Sequence, residues 1–273
     1  MPPTLQPISK EELIRKFHQI YEQGWIKNTR AGNDGAVGNL LEDLLGIPEN
    51  NLPIPNAAEW ELKAQRARTT SLTTLFHSEP SPTALSMVPN VLLPVFGWPH
   101  REAGAKYPKT ERSFRATLNA SQFSDRGFTV NVNDKERKIE ILFDASHVES
   151  RHDQWLLNVK RNLVEIPNAN IVPYWGFSDL FHRVASKLHN CFYVRAQEKV
   201  ESVNGRRQSF FWYNYVLMLS DLNEDCFIQA FRDGKIYVDF DARTGHNHGT
   251  KVRINHRDVP SLYKHSKVII GGE

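Results

Sequence analysis

The hydrophobic pattern changes its period along the chain. Near the N-terminus, Ser9-Lys10-Glu11-Glu12 forms a capping box, and Leu13, Phe17, Ile20 and Tyr21 then recur at helical spacing up to Gly24. A second helix is predicted through Val37, Leu40, Leu41, Leu44 and Leu45. It is entered from the glycine-rich Ala31-Gly32-Asn33-Asp34-Gly35 and stopped by Gly46 and Pro48. After the turn region Asn50–Pro55 comes a strand around Glu61, then a short strand or loop from Ser71 to Phe76, which Pro80 and Pro82 close off.

From Val88 to Pro108 four prolines and little periodicity predict an irregular connection, with room for partial order. Alternation returns at Ser113–Leu118, Phe128–Val132 and Lys138–Phe143, with a hairpin turn near Asn133-Asp134. Helices are predicted over Asp153–Arg161 and Ser178–Leu188. Phe192–Val203 and Gln208–Leu219 should pair across Asn204-Gly205, a two-residue turn signal that places Arg206-Arg207 at its tip. A helix over Asn223–Phe231 closed by Gly234, a strand over Ile236–Phe240 and a short terminal helix over Val259–His265 complete the reading. Helices mixed with antiparallel hairpins, without an internal repeat, give an α+β or mixed α/β class.

Composition narrows this modestly. With 40% hydrophobic and 24% charged residues over 273 positions, the chain is globular and large enough for a core domain with an appended lobe. A net charge of +3 permits a polyanionic partner without requiring one. Cys191 and Cys226 are the two cysteines, both in apolar runs, which excludes a disulfide framework or a cysteine-ligated zinc site. No apolar stretch is long enough for a membrane span and no signal sequence opens the chain, so a soluble cytoplasmic protein with no membrane partner is expected.

The chemistry starts at Glu61-Leu62-Lys63. On a strand, a carboxylate and an ammonium two residues apart project from one face. There the carboxylate can hold a divalent metal, and the ammonium can hold a water or steady a phosphate oxygen. The tripeptide alone is common and usually lies on a solvated face. Glu42 adds a carboxylate beside Leu41, Leu44 and Leu45, although Glu42 and Asp43 also read as the polar side of an amphipathic helix. Gly35 and Gly38 permit close backbone approach to a neighbour or a phosphate.

Taken in order, Asp34-Gly35-Ala36-Val37-Gly38-Asn39-Leu40-Leu41-Glu42, Pro55 through Gln65 and Ser71-Leu72-Thr73-Thr74-Leu75-Phe76-His77 resemble the MvaI/BcnI-type restriction endonucleases. Asn247-His248-Gly249-Thr250, Arg253 and Leu262-Tyr263 extend the match. These enzymes are relatives of the mismatch-repair nickase MutH in the PD-(D/E)xK superfamily. The resemblance implies a restriction-endonuclease-like core, a central mixed sheet flanked by helices, and two lobes around a DNA cleft. The expected division is a catalytic lobe over residues 1–110, with later strands contributing, and a recognition lobe over 111–273. It further implies a type II enzyme that hydrolyses duplex DNA with Mg²⁺ at a short CC-N-GG-like site, as a monomer nicking one strand at a time. A DNA methyltransferase is expected as a genetic partner, not as a stable complex.

Carried over by position, Glu42 is the helix carboxylate, Glu61 the strand metal ligand and Lys63 the partner of the attacking water. The family's aspartate, five residues before that glutamate, is here Asn56. An amide offers one neutral oxygen where a carboxylate offers a full charge, so metal affinity and cleavage rate should fall. Three accounts stand open: a replacement made to trap an uncut complex, an impaired natural protein, or compensation by Glu59 or Glu42. The first implies nothing about native activity, whereas the second makes the chain a cleavage-deficient DNA-binding protein. A MutH-like nickase is the other alternative.

Asp239 to Arg253 packs donors and acceptors into a loop between strand-like segments. By itself this is a polar hairpin or a histidine cluster. The resemblance implies a recognition element, with Arg243, His246, Asn247, His248, Thr250 and Arg253 contacting DNA and His77 paired with His248 at the centre of the site. Basic residues at 63–68 should meet phosphates. The aromatic run Phe210-Phe211-Trp212-Tyr213 with Tyr215 reads as a core strand in preference to a base-stacking platform.

Overall fold

The structure, a computed structural model, describes residues 8–30, 35–47 and 59–271. The chain runs through α1 (Lys10–Glu22), β1 (Ile26–Lys27), α2 (Ala36–Leu45), β2 (Trp60–Arg66) and β3 (Thr73–His77). Next come a π-helical turn (Val88–Leu92) leading into α3 (Leu93–Phe96), then β4 (Trp98–Pro99), β5 (Arg112–Leu118), β6 (Arg126–Asn133) and β7 (Lys138–Val148). They are followed by α4 (Asp153–Glu165), β8 (Tyr174–Gly176), α5 (Phe177–Leu188), β9 (Asn190–Val203) and β10 (Arg206–Leu222). Last are α6 (Glu224–Arg232), β11 (Ile236–Arg243), β12 (His246–Asn247), β13 (Lys251–Ile254), a 3-10 turn (Val259–Leu262) and β14 (Tyr263–Ile270). The class is mixed α+β, as the alternating periods indicate.

Two compact units emerge, and both are discontinuous in sequence. The first comprises residues 1–71, 184–223 and 259–273; the second comprises 72–183 and 224–258. The units follow strand pairing, so no single cut in the chain separates them.

The first unit is built on a mixed sheet in the order β1-β10-β9-β2, with β14 also paired to β10. Its β2–β9 pair is parallel, and the others are antiparallel. The long β9–β10 hairpin turns at Asn204 and Gly205, whose φ values of 53° and 76° are those a two-residue turn of the type I′ family requires. One sheet face is apolar. Trp60 and Leu62 of β2, Phe192, Val194 and Ala196 of β9, and Phe211 and Tyr213 of β10 join Leu13, Phe17 and Ile20 of α1 and Leu40, Leu41 and Leu45 of α2 in a single core. Fully buried leucines such as Leu13 and Leu41 contribute roughly 1.5–3 kcal/mol each. The aromatic run is therefore core, with Phe211 and Tyr213 buried and the Tyr213 hydroxyl donating to the Val37 carbonyl at 2.8 Å.

Local signals set the flanking helices. Ser9 Oγ accepts from the Glu12 N–H at 3.2 Å to start α1. Gly46, at φ 74°, ends α2 in the left-handed conformation that glycine tolerates.

The second unit holds the sheet β3-β13-β11-β5-β4 and the three-stranded sheet β6-β7-β8. Two sequence expectations are corrected by the fold. Val88–Phe96 is ordered and largely buried, because Pro89 and Pro94 fall in the first turns of their helical segments, where a missing N–H is tolerated. The buried helix-end carbonyls of Val95 and Phe96 are capped by Asn162 Nδ2 at 2.9 Å and Trp155 Nε1 at 3.0 Å, both from α4. The terminal helix expected at Val259–His265 is instead one 3-10 turn followed by β14, whose backbone groups pair with β10 from Tyr263 to Ile270.

Candidate functional site

Strand alternation that sends Trp60 and Leu62 into the core sends Glu61 and Lys63 to the opposite face of β2. The parallel register places Cys191 beside Glu61 and Tyr193 beside Lys63. Glu61 is 1% exposed, so its carboxylate is held in a setting where an unpaired charge is costly. Oε1 is compensated twice, by Lys63 Nζ at 2.8 Å and by Lys187 Nζ, in the last turn of α5, at 3.6 Å. Oε2 is equally buried and finds no hydrogen-bond partner among the described residues.

The groups around this carboxylate are kept protonated. Burial pushes the Cys191 thiol up to about 12, with Glu61 adding to the shift and Lys63 opposing it. A thiol held there stays protonated at neutral pH and is a poor nucleophile. Burial, then Cys191 and Glu61, also raise the Tyr263 phenol well above its usual value, and its hydroxyl donates to the Leu188 carbonyl at 2.7 Å. Tyr193 is likewise raised by burial, and its hydroxyl is buried without a partner among the described residues.

An orphaned carboxylate oxygen next to an ammonium fits a hard divalent cation, which binds through oxygen. Among the described residues no three His, Cys, Asp or Glu side chains form a metal-holding cluster. Asn56 lies outside the described residues. Glu42 is half-buried on α2, and its backbone carbonyl accepts from the Ile47 N–H at 2.9 Å as the helix ends. Glu59 is exposed in the turn before β2. Next along β2, Arg66 is paired with Glu198 at 2.9 Å and lies over the Phe211 ring. Together with Arg68, Thr69 and Thr70 it lines an open cavity.

The DNA-reading candidates cluster in the second unit. Lys251 pairs in register with His77, and Gly249 packs so that a Cβ there would stand 3.6 Å from His77 Cδ2. Its φ of 84° also suits glycine. His246 and His248 are exposed, with ring centroids 4.2 Å apart. Asn247 Oδ1 accepts from the Gly249 N–H at 3.0 Å, which bends the loop. Burial and the neighbouring Lys251 lower the His77 pKa, partly offset by Glu79, so the ring stays neutral at neutral pH. Glu79, which the sequence did not suggest, accepts from the Thr250 N–H at 2.7 Å.

Arg243 is held by Glu111 at 3.1 Å and lies over the Tyr107 ring. Arg253 is committed to the sheet through Asp239 at 2.9 Å and the Leu72 carbonyl at 2.9 Å. Thr250 is fully buried. Sequence reasoning missed Lys187, Cys191 and Tyr193 around Glu61. Their one signal is the strong β9–β10 hairpin, which does not reveal that β9 also pairs with β2.

The comparisons agree with one another. The profile of the MvaI/BcnI restriction endonuclease family matches residues 14–263. Among solved structures, restriction endonuclease MvaI in complex with cognate DNA substrate is similar at 21% identity and a TM-score of 0.69, covering 96% of this chain and 99% of that one. MvaI in the absence of DNA is similar at 22% identity and a TM-score of 0.53, covering 96% of this chain and all of that one. No curated protein sequence matches the chain significantly. At these identities the structural matches establish the fold, and the profile, spanning most of the chain, establishes the family. The chain belongs to the MvaI/BcnI restriction endonuclease family, and it is a site-specific deoxyribonuclease by that membership.

Proposed function

We propose that this chain is a Mg²⁺-dependent type II restriction endonuclease that cuts duplex DNA at a CC-N-GG-like site, acting as a monomer on one strand at a time. The observation that carries the reading is Glu61, a buried carboxylate with one oxygen held by lysine and the other without a partner among the described residues. Glu61 Oε2, with Glu42 and the amide of Asn56, would hold the metal. A Mg²⁺ ion held there would supply Lewis-acid stabilisation of the phosphate and would acidify a water bound to it. Lys63 orients the water or steadies a non-bridging phosphate oxygen, and the buried wall of Cys191, Tyr193 and Tyr263 excludes bulk solvent from Glu61. Basic side chains at Arg66 and Arg68 meet backbone phosphates, which positions the duplex without reading its sequence.

Base reading falls to His77, Arg243, His246, Asn247 and His248, while Thr250 and Arg253 brace the hairpin that presents them. A neutral His77 ring has both a donor and an acceptor to offer a base edge. No helix among the described residues is long and apolar enough to cross a membrane. A cytoplasmic enzyme, genetically accompanied by a DNA methyltransferase, fits this reading.

A second reading rests on Asn56 itself. With a neutral amide at the family's aspartate position, the chain binds its site and cuts it poorly. Mapping cleavage sites on plasmid DNA with Mg²⁺, for the protein and for Asn56→Asp, separates the cases. We expect Asn56→Asp to raise cleavage at a CC-N-GG-like site. An already efficient nuclease unchanged by the substitution would remove the impairment argument, and strict dependence on a hemimethylated GATC site would establish a MutH-like nickase instead.

A further inference from the structure

The ion pairs around Glu61 are unbalanced. One carboxylate oxygen faces two ammoniums, Lys63 at 2.8 Å and Lys187 at 3.6 Å, while the other faces none among the described residues. Lys63 alone neutralises a single carboxylate. A second ammonium on the same oxygen adds repulsion between like charges, so either lysine can leave while the other keeps the carboxylate paired. Both lysines retain access to solvent, with side chains 22% and 29% exposed against 1% for Glu61. Either can therefore reach outward while the carboxylate stays fixed.

We propose that Lys187 is a positioning residue of the nuclease site. Resting on the proposed nuclease reading, it takes over Glu61 Oε1 when Lys63 turns to the scissile phosphate or its water. It thereby keeps the buried carboxylate neutralised, with Oε2 aimed at the metal. Without Lys187, Lys63 is the one remaining counter-charge of Glu61 among the described residues and stays locked to it. The two lysines differ in how they are held: Lys63 is fixed by its strand register, whereas Lys187 approaches from a helix end. That difference suits one group to the substrate and the other to the carboxylate.

The test uses Lys187→Met and Lys187→Arg in the full chain. Single-turnover cleavage at saturating DNA should fall by roughly 10–100-fold in Lys187→Met, the usual cost of losing a group that orients a metal ligand. Lys187→Arg should recover most of the rate. Affinity for the cognate duplex, measured without metal, should stay within about threefold of the parent, since Lys187 acts through Glu61 and not on the DNA. Thermal melting supplies a readout independent of cleavage. Lys187→Met should melt lower than the parent without metal, and non-catalytic Ca²⁺ should raise its melting temperature by more than it raises the parent's, because the cation then supplies the missing charge.

An unchanged cleavage rate with equal Ca²⁺ shifts overturns the proposal. So does a parallel loss of rate, DNA affinity and Ca²⁺ response, which would make Lys187 a structural residue. If the parent and Asn56→Asp both fail to cut DNA, the nuclease reading fails separately. The paired Ca²⁺ melting curves still decide whether Lys187 serves Glu61.

Discussion

Glu61 and Arg243 are both charged residues on strands, and both are paired, yet their settings oppose each other. Glu61 is nearly inaccessible, and half of its carboxylate has no partner among the described residues. The Arg243 side chain is 28% exposed, and its guanidinium is occupied by Glu111 and by the face of Tyr107. A buried group with an unfilled bonding position is destabilising unless a ligand completes it, so such a group is poised for a cation. The Arg243 guanidinium reaches solvent while its partner Glu111 is buried, so it turns to a base edge only at the cost of leaving that carboxylate, which the base contact must offset. On the proposed function, chemistry and base reading have different signatures, and each unit carries one of them.

The comparison breaks most decisively at Glu61. Glu61→Gln keeps the shape and removes the charge, so cleavage should be lost altogether while affinity for the cognate duplex stays within about tenfold. Single-turnover cleavage and fluorescence anisotropy measure the two quantities. If binding collapsed together with cleavage, Glu61 would be holding the unit together, and its unpaired oxygen would have no catalytic meaning.

Much of this contrast can be read in the sequence, and the rest hides for identifiable reasons. Glu61 and Lys63 announce themselves because strand alternation is a local property: two residues apart means one face. Lys187 does not, since it sits in an amphipathic helix like any solvated lysine. Only the parallel pairing of β2 with β9 brings the end of α5 to Glu61. Parallel partners are joined through long crossovers and leave no turn signal, unlike Asn204-Gly205, which marks its hairpin plainly. The same gap explains the two-unit division, which follows pairings distant in sequence. The C-terminal strand was obscured by its exposure: between buried Tyr263 and Ile270 lie Lys264, His265, Ser266 and Lys267, all solvated, so no alternation shows. Val88–Phe96 was obscured by prolines whose positions in first turns make them harmless. In the hairpin, the resemblance implied Arg253 and Thr250 as readers, and the sequence could not reveal that one is tied to Asp239 and the other fully buried.

Arg243→Ala and His248→Ala sharpen the reading side. Each should weaken discrimination between a CC-N-GG duplex and a scrambled one by roughly 1–3 kcal/mol, the worth of a good base-edge contact. Competition binding at fixed salt reports it. For Arg243 the paired control is Glu111→Gln, which frees the guanidinium from its ion pair and should leave discrimination intact or improved. If both Arg243→Ala and Glu111→Gln reduced discrimination equally, the pair would be bracing the hairpin and recognition would lie elsewhere.

The smallest effect comes from Thr250, where the two signatures meet in one residue. Its side chain is fully buried within the hairpin that carries the proposed reading residues, and its Oγ1 has no hydrogen-bond partner among the described residues, which is the condition seen at Glu61 Oε2. The groups differ in charge, and a neutral hydroxyl attracts no cation. Its backbone does the holding: the N–H donates to Glu79 and the carbonyl accepts from the Ser78 N–H at 2.9 Å. Thr250→Val preserves both bonds and the branched shape while removing the unsatisfied hydroxyl. Stability should therefore be unchanged or rise by up to about 1 kcal/mol, read from the denaturant midpoint. Discrimination should be unaffected, in contrast to Arg243→Ala. A loss of discrimination at constant stability would show that the hydroxyl turns outward to DNA, and would move Thr250 from the frame of the hairpin to its reading surface.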